Sequence, residues 1–161
     1  MRFIRADKDR LTFCVGQREK ALLFETLKLY PLIPAAYPRC SKTAKGAPDE
    51  NQRLLEEALA AQRKENREAM LAMFNEPGRF RQTGHGFQFT LMAAELERLL
   101  QVFNDIRVGS WIALGSPEEG REPDMNEENA GYFLAMEVCG HAETVLLAAS
   151  GEEGPDPAAK A

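Results

Sequence analysis

An amide, a carboxylate and a guanidinium fall within four residues at Asn104-Asp105-Ile106-Arg107, inside the longest strongly apolar periodic run of the chain, Thr90 to Gly115. Asn104 and Arg107 are three residues apart, so on a helix both can reach one neighbour. Asp105 is turned about 100° away from Asn104, toward the side shared by Gln101, Val102, Gly109 and Ile112. Two chemistries fit. In one, Arg107 pairs with a carboxylate from another element and the polar set fixes how the helices meet. In the other, Asn104, Asp105 and Arg107 line a binding pocket in which the planar guanidinium clamps an anionic group. If that pocket were catalytic, Asp105 or Glu137 would be the acid/base groups; no residue has a nucleophile's setting, and none is assigned as catalytic.

Other constellations are weaker. Glu137, His141 and Thr144 share a helix face and could bind a metal or relay a proton, but a solvated polar stripe is the plainer reading. Cys139 and His141 are two apart and point to different faces. His85, between Gly84 and Gly86, reads as a turn residue. The chain has two histidines and no CxxC or HExxH spacing, so neither a metal nor a cofactor is expected. There is no GxxxxGK[ST], GxGxxG or GxSxG, and Ser41, Ser110, Ser116 and Ser150 stand in no recognisable nucleophile motif. Arg79-Phe80-Arg81 with Phe87 and Phe89 could stack bases. The acidic balance of the chain favours packing for those rings, and nucleic acid is not expected as a partner.

The chain that must position these groups has 161 residues, 44% hydrophobic and 28% charged, with a net charge of −5. That length suits one domain with its own core. No uninterrupted apolar run reaches the roughly 18 residues a bilayer span needs. The charged start, MRFIRADKDR, is unlike a signal peptide. Cys14, Cys40 and Cys139 are odd in number and widely spaced, which suits reduced thiols. A cytoplasmic location away from membranes is expected. The charge is uneven: Met1 to Pro48 carries ten basic against four acidic residues, and the remainder ten against twenty-one. The basic part either packs against the acidic part or forms an anion or partner site near Arg39, Lys42 and Lys45.

Along the chain, Arg2–Arg5 and Leu11–Val15 predict a hairpin around a charged connector. Gln17 to Tyr30 predicts a helix, stopped by Pro31. Four prolines and Gly46 make residues 31–48 a long loop. Asp49 or Asn51 can cap a second helix running to Asn75, with Leu55, Leu59, Met70, Met73 and Phe74 at helical spacing. Its polar middle, Gln62 to Glu68, either bridges solvent through pairs such as Lys64 to Glu68 or offers Gln62 and Asn66 to polar groups inside the bundle. After Pro77-Gly78, Gly84-His85-Gly86 can supply a turn between two short β-like pieces, and a third strand at Phe87 and Phe89 can join the hairpin. Thr90 is expected to cap the third helix; Gly109 within it costs about 1 kcal/mol against Ala and implies close approach of another helix or the ribbon. An acidic connection, Ser116 to Asn126, leads to a last helix from about Glu127 to Ser150, apolar on several sides and expected in the middle of the bundle.

The predicted fold is therefore mainly α: a four-helix-bundle-like single domain, residues 1–150, with a small β ribbon at 2–15 and a disordered acidic, proline-bearing tail at 151–161. The runs LERLLQVFNDIRVGSWIALG and GYFLAMEVCGHAETVLLA resemble a family of small uncharacterised bacterial helical proteins. In these a Leu-Asn-Asp-Leu-Arg run leads to a Leu-Gly ending, and Asn104, Asp105 and Arg107 are the matching positions. The resemblance implies the fold and no activity. The expected function is that of a non-enzymatic protein-interaction or regulatory domain that binds a protein partner through surfaces near the long loop and the acidic connection, and a homo-oligomer is plausible from the apolar faces of the last helix. The alternative is a small-ligand-binding protein or enzyme built on the polar pocket around Asn104 and Arg107.

Overall fold

The structure, a computed structural model, describes residues 1–32, 50–118 and 125–151. The expected long loop beyond Leu32, the centre of the acidic connection, the tail from Glu152 onward, and Arg39, Lys42, Lys45 and Cys40 lie outside the described residues. The first two strands, β1 (Arg2–Asp7) and β2 (Arg10–Val15), form the predicted antiparallel hairpin. Alternation along β2 sends Leu11, Phe13 and Val15 to one face and Arg10, Thr12 and Cys14 to the other. The first set is buried or partly buried against the helices, with Phe13 and Val15 almost fully enclosed.

The ribbon is wider than residues 2–15. The two β-like pieces expected on either side of Gly84-His85-Gly86 form β3 (Arg81–Thr83) and β4 (Gly86–Met92), which pair with each other and, through β4, with β2, giving a four-stranded antiparallel sheet in the order β1-β2-β4-β3. Gly86 is required where β4 meets β2. Its φ is +135°, and an added Cβ would lie 2.3 Å from the Val15 carbonyl oxygen, a clash no side chain could relieve. Phe87, Phe89 and Leu91 join Phe13 on the inner face, so packing accounts for these rings. Phe13, Phe89, Phe80, Phe74 and Phe24 form a chain of ring contacts with centroids 5.2 to 5.8 Å apart. The Lys20 ammonium caps this chain from outside, 3.9 Å from the Phe87 centroid and 4.5 Å from that of Phe80, a favourable cation–π position.

The four helices are α1 (Gln17–Leu27), α2 (Glu50–Asn75), α3 (Ala93–Ala113) and α4 (Ala130–Ser150). Glu19 and Glu95 occupy the third position of α1 and α3 and accept the backbone N–H of Gly16 at 2.7 Å and of Met92 at 2.8 Å. Each satisfies an amide that a helix start leaves open. Met92, not Thr90, therefore precedes α3: Thr90 is held in β4 opposite Thr12, because the alternation that buries Phe89 and Leu91 continues the strand to the helix. Glu95 also binds Arg79, whose Nη2 is 2.7 Å from Oε1. The last helix begins at Ala130, later than expected, after Asn126 and Asn129 exchange hydrogen bonds in a turn.

The central helix is α3. It buries Leu96, Leu99, Val102, Phe103, Ile106, Gly109 and Ser110 and touches each of the other three helices and β4. The expectation that α4 lies in the middle is corrected: α4 buries one stripe, Ala135, Cys139, Ala142, Glu143 and Leu146, and leaves Leu134 about half exposed at 48%. By length and composition alone α4 could cross a membrane, a property shared by core helices of this kind. Gly109 has the close neighbour its presence implied, though not a helix or the ribbon: an added Cβ would meet Leu32 Cβ at 2.9 Å. Gly109→Ala should thus destabilise by about 1–2 kcal/mol, overpacking outweighing the better helix propensity. In a Leu32→Gly background, which removes the Cβ that the alanine would meet, the same substitution should cost little. Urea unfolding of the two single variants and the double variant checks the coupling.

Candidate functional site

The middle of the buried stripe on α3 fixes where its polar residues point. Asn104 lies about 150° from that middle, while Arg107 and Asp105 lie roughly 90–110° away on opposite flanks. Asn104 is accordingly exposed and does not face the bundle beside Arg107. Arg107 turns toward α4 and donates through Nη1 to Glu143 Oε2. Asp105 turns toward α2, where its Oδ2 is 3.5 Å from Arg63 Nε. The three residues do not converge on one pocket.

The Arg107–Glu143 pair is asymmetric. The arginine side chain is 45% exposed and the glutamate 9%, and the guanidinium crosses α4 at Gly140, where an added Cβ would be 3.7 Å from Arg107 Nε. Burial pushes the Glu143 carboxyl above its ordinary range, and Arg107 pulls it back. Its second oxygen is buried without a hydrogen bond. One turn earlier, Cys139 is fully buried and its thiol is pushed up to about 12, by burial first and then by the Glu143 charge. A thiol that stays protonated at neutral pH is a poor nucleophile, which weighs against covalent chemistry there.

On the other flank, Asn66 of α2 donates to Gln101 Oε1 at 3.3 Å, one turn from the Arg63–Asp105 pair. The polar middle of α2 thus does both things open to it. Asn66 is buried against α3, while Lys64 and Glu68 form an exposed pair at 4.0 Å and Gln62 stays in solvent. Tyr30 is buried beside this cluster. Burial raises its phenol above the ordinary value, Asn66 lowers it and the Asp105 charge raises it. Its hydroxyl and that of Ser110 are enclosed without a hydrogen bond. Among the described residues no group of three or more His, Cys, Asp or Glu could hold a metal ion. Glu137 and His141 instead border a mostly apolar cleft of about 350 Å³ with Met1, Leu22 and Leu23.

No family model, curated protein or solved structure matches the chain.

Sequence reasoning identified Arg107 and Asp105 but missed their partners. Glu143 was recoverable: it stands on the stripe Ala135, Cys139, Ala142, Leu146, and a carboxylate bordering a buried stripe requires a cation. Arg63 and Tyr30 carry no comparable signal, because the contact depends on where α2 crosses α3.

Removing Arg107 strands the Glu143 carboxylate, so Arg107→Ala should cost about 1–3 kcal/mol, less than a fully buried pair because the arginine is half in solvent. Glu143, with its folded pKa raised above 4.5, favours the native state below that value, and the benefit is lost as pH rises through the folded pKa. Without Arg107 the pKa rises further. The Arg107→Ala deficit should therefore shrink on acidification toward pH 4 to 5, and Arg107→Ala/Glu143→Gln should be more stable than Arg107→Ala at pH 7. Thermal unfolding across pH checks both.

Proposed function

We propose that this chain is a non-enzymatic protein-interaction or regulatory domain of the cytoplasm, docking through the amino-terminal half of α2 onto a second copy of itself. The observation that carries this reading is an apolar stripe that outruns the core. Phe74, Met70 and Asn66 are buried, and the same face continues through Leu59 and Leu55, which are 37% and 52% exposed. At 1.5 Å per residue, roughly 20 Å of helix precedes the buried part with its stripe partly exposed. Exposed leucines at helical spacing suit a groove or helix partner.

A second copy is favoured by charge. Residues 50–57 hold Glu50, Glu56 and Glu57 against Arg53, while residues 62–68 hold Arg63, Lys64 and Arg67 against Glu65 and Glu68. Laid antiparallel about a two-fold axis, the acidic start of one α2 meets the basic middle of the other. The helices are read as a bundle-like group around α3, in keeping with the likeness of the Asn104–Arg107 run to small bacterial helical proteins. A ligand pocket built on Asn104 and Arg107 has less support, since Glu143 already engages the guanidinium and Asn104 faces away.

Sedimentation equilibrium of the full chain should show a reversible dimer. Leu55→Glu/Leu59→Glu should leave a monomer that still unfolds cooperatively, at a midpoint independent of protein concentration, unlike the wild type. A wild-type monomer at every concentration, or a dimer indifferent to the double substitution, would remove the reading.

A further inference from the structure

The face of the sheet turned away from the helices has no part in that dimer reading, and its composition is distinctive. The strand register places Arg5 opposite Thr12 and Thr12 opposite Thr90 in one row. Arg10 stands opposite Met92 on one side of that row, and Arg81 opposite Gln88 on the other. Diagonal neighbours on adjacent strands are about 7–8 Å apart, so arginine side chains from these positions can converge over the central threonines. The two hydroxyls are 3.3 Å apart. These residues border a cleft of about 520 Å³, closed on one side by Glu76, Pro77, Gly78, Arg79 and Glu95.

Charge in the cleft is not neutralised internally. Four arginines and two glutamates border it. Arg79 engages both carboxylates, its Nη2 at 2.6 Å from Glu76 and 2.7 Å from Glu95, while its Nη1 donates to the Thr90 carbonyl at 2.7 Å. Arg5 and Arg10 form no ion pair among the described residues, and Asp7, across from Arg10 on β1, comes within 4.0 Å of no cation. The Arg81 guanidinium donates only to the neutral Gln88 side chain, at 2.8 Å. The Arg79 Nε is buried and lacks an acceptor.

We propose that this cleft binds a small phosphorylated anion, gripped by Arg5, Arg10 and Arg81 above the Thr12–Thr90 hydroxyl pair. The net charge of the bordering side chains, +2, matches a phosphate dianion. Guanidinium groups approaching from three strands suit a tetrahedral group with several acceptor oxygens better than a planar carboxylate with two. A single-stranded nucleic acid is a poorer fit. Among the described residues the cleft offers no exposed ring on which a base could stack, since Phe89 borders it but is almost fully buried, and the chain as a whole is acidic.

Calorimetric titration of the full chain with inorganic pyrophosphate at low salt tests this. Saturable one-to-one binding that weakens with added salt is expected. Arg5→Gln/Arg10→Gln should weaken it by at least about tenfold, the loss of two charge-assisted contacts. Arg18→Gln, an exposed arginine of α1 outside the cleft, should leave it unchanged. Both substituted strand positions are exposed, and circular dichroism and the unfolding midpoint confirm that the variant folds. Absence of binding at millimolar pyrophosphate would overturn the proposal. So would equal binding by the double variant, citrate binding as tightly as pyrophosphate, or tighter binding of a uridine oligonucleotide lost in the same variant.

Discussion

Burial of the α3 stripe is the constraint on which the other parts depend. Leu99, Val102, Phe103 and Ile106 are each 0 or 1% exposed and belong to one core cluster that also takes in Phe13 and Phe89 from the sheet, Leu27 from α1, Met70 from α2 and Leu146 from α4. Closure on all these sides leaves α3 no freedom to rotate without exposing large side chains, at about 1.5–3 kcal/mol apiece. The polar flanks of α3 are thereby aimed: Arg107 meets Glu143 of α4, and Asp105 meets Arg63 of α2.

Those flanking pairs add direction more than strength. Arg107–Glu143 and Arg63–Asp105 both straddle the border between core and solvent, where an ion pair's attraction roughly offsets the desolvation it demands. Each nevertheless restricts the register of one helix on another, since a one-residue slip would part the charges. The sealed hydroxyls of Tyr30 and Ser110 and the open oxygen of Glu143 show where polar satisfaction gives way to packing around α3.

Much of this arrangement was legible in the residues. The hairpin followed from alternation around a charged turn and α3 from its stripe; glycine inside a helix pointed to a close neighbour, but to a helix or the ribbon and not to the Leu32 side chain that meets it. What escaped were features set by pairing across distance. Thr90 has the chemistry of a helix cap, yet sheet pairing opposite Thr12 claims it. The apolar composition of α4 looked central, although only one stripe of it meets α3. The arginines of β1 and β2 read as a charge excess near the start of the chain; the register with β4 and β3 is what gathers Arg5, Arg10 and Arg81 on one surface.

The amino-terminal half of α2 divides one continuous helix into two thermodynamic regimes. Residues from Arg63 onward are tied to the core through Asn66, Met70 and Phe74, so their amides open only when the domain's own contacts yield. Residues 50–62 bury no side chain, and the Gln52 amide donates to Glu56 within the segment, at 3.0 Å. A helical segment so short has marginal stability in water. Amide protection should therefore step along α2, falling toward Glu50 while the backbone geometry stays uniform, and a bound partner would be visible first as the loss of that step.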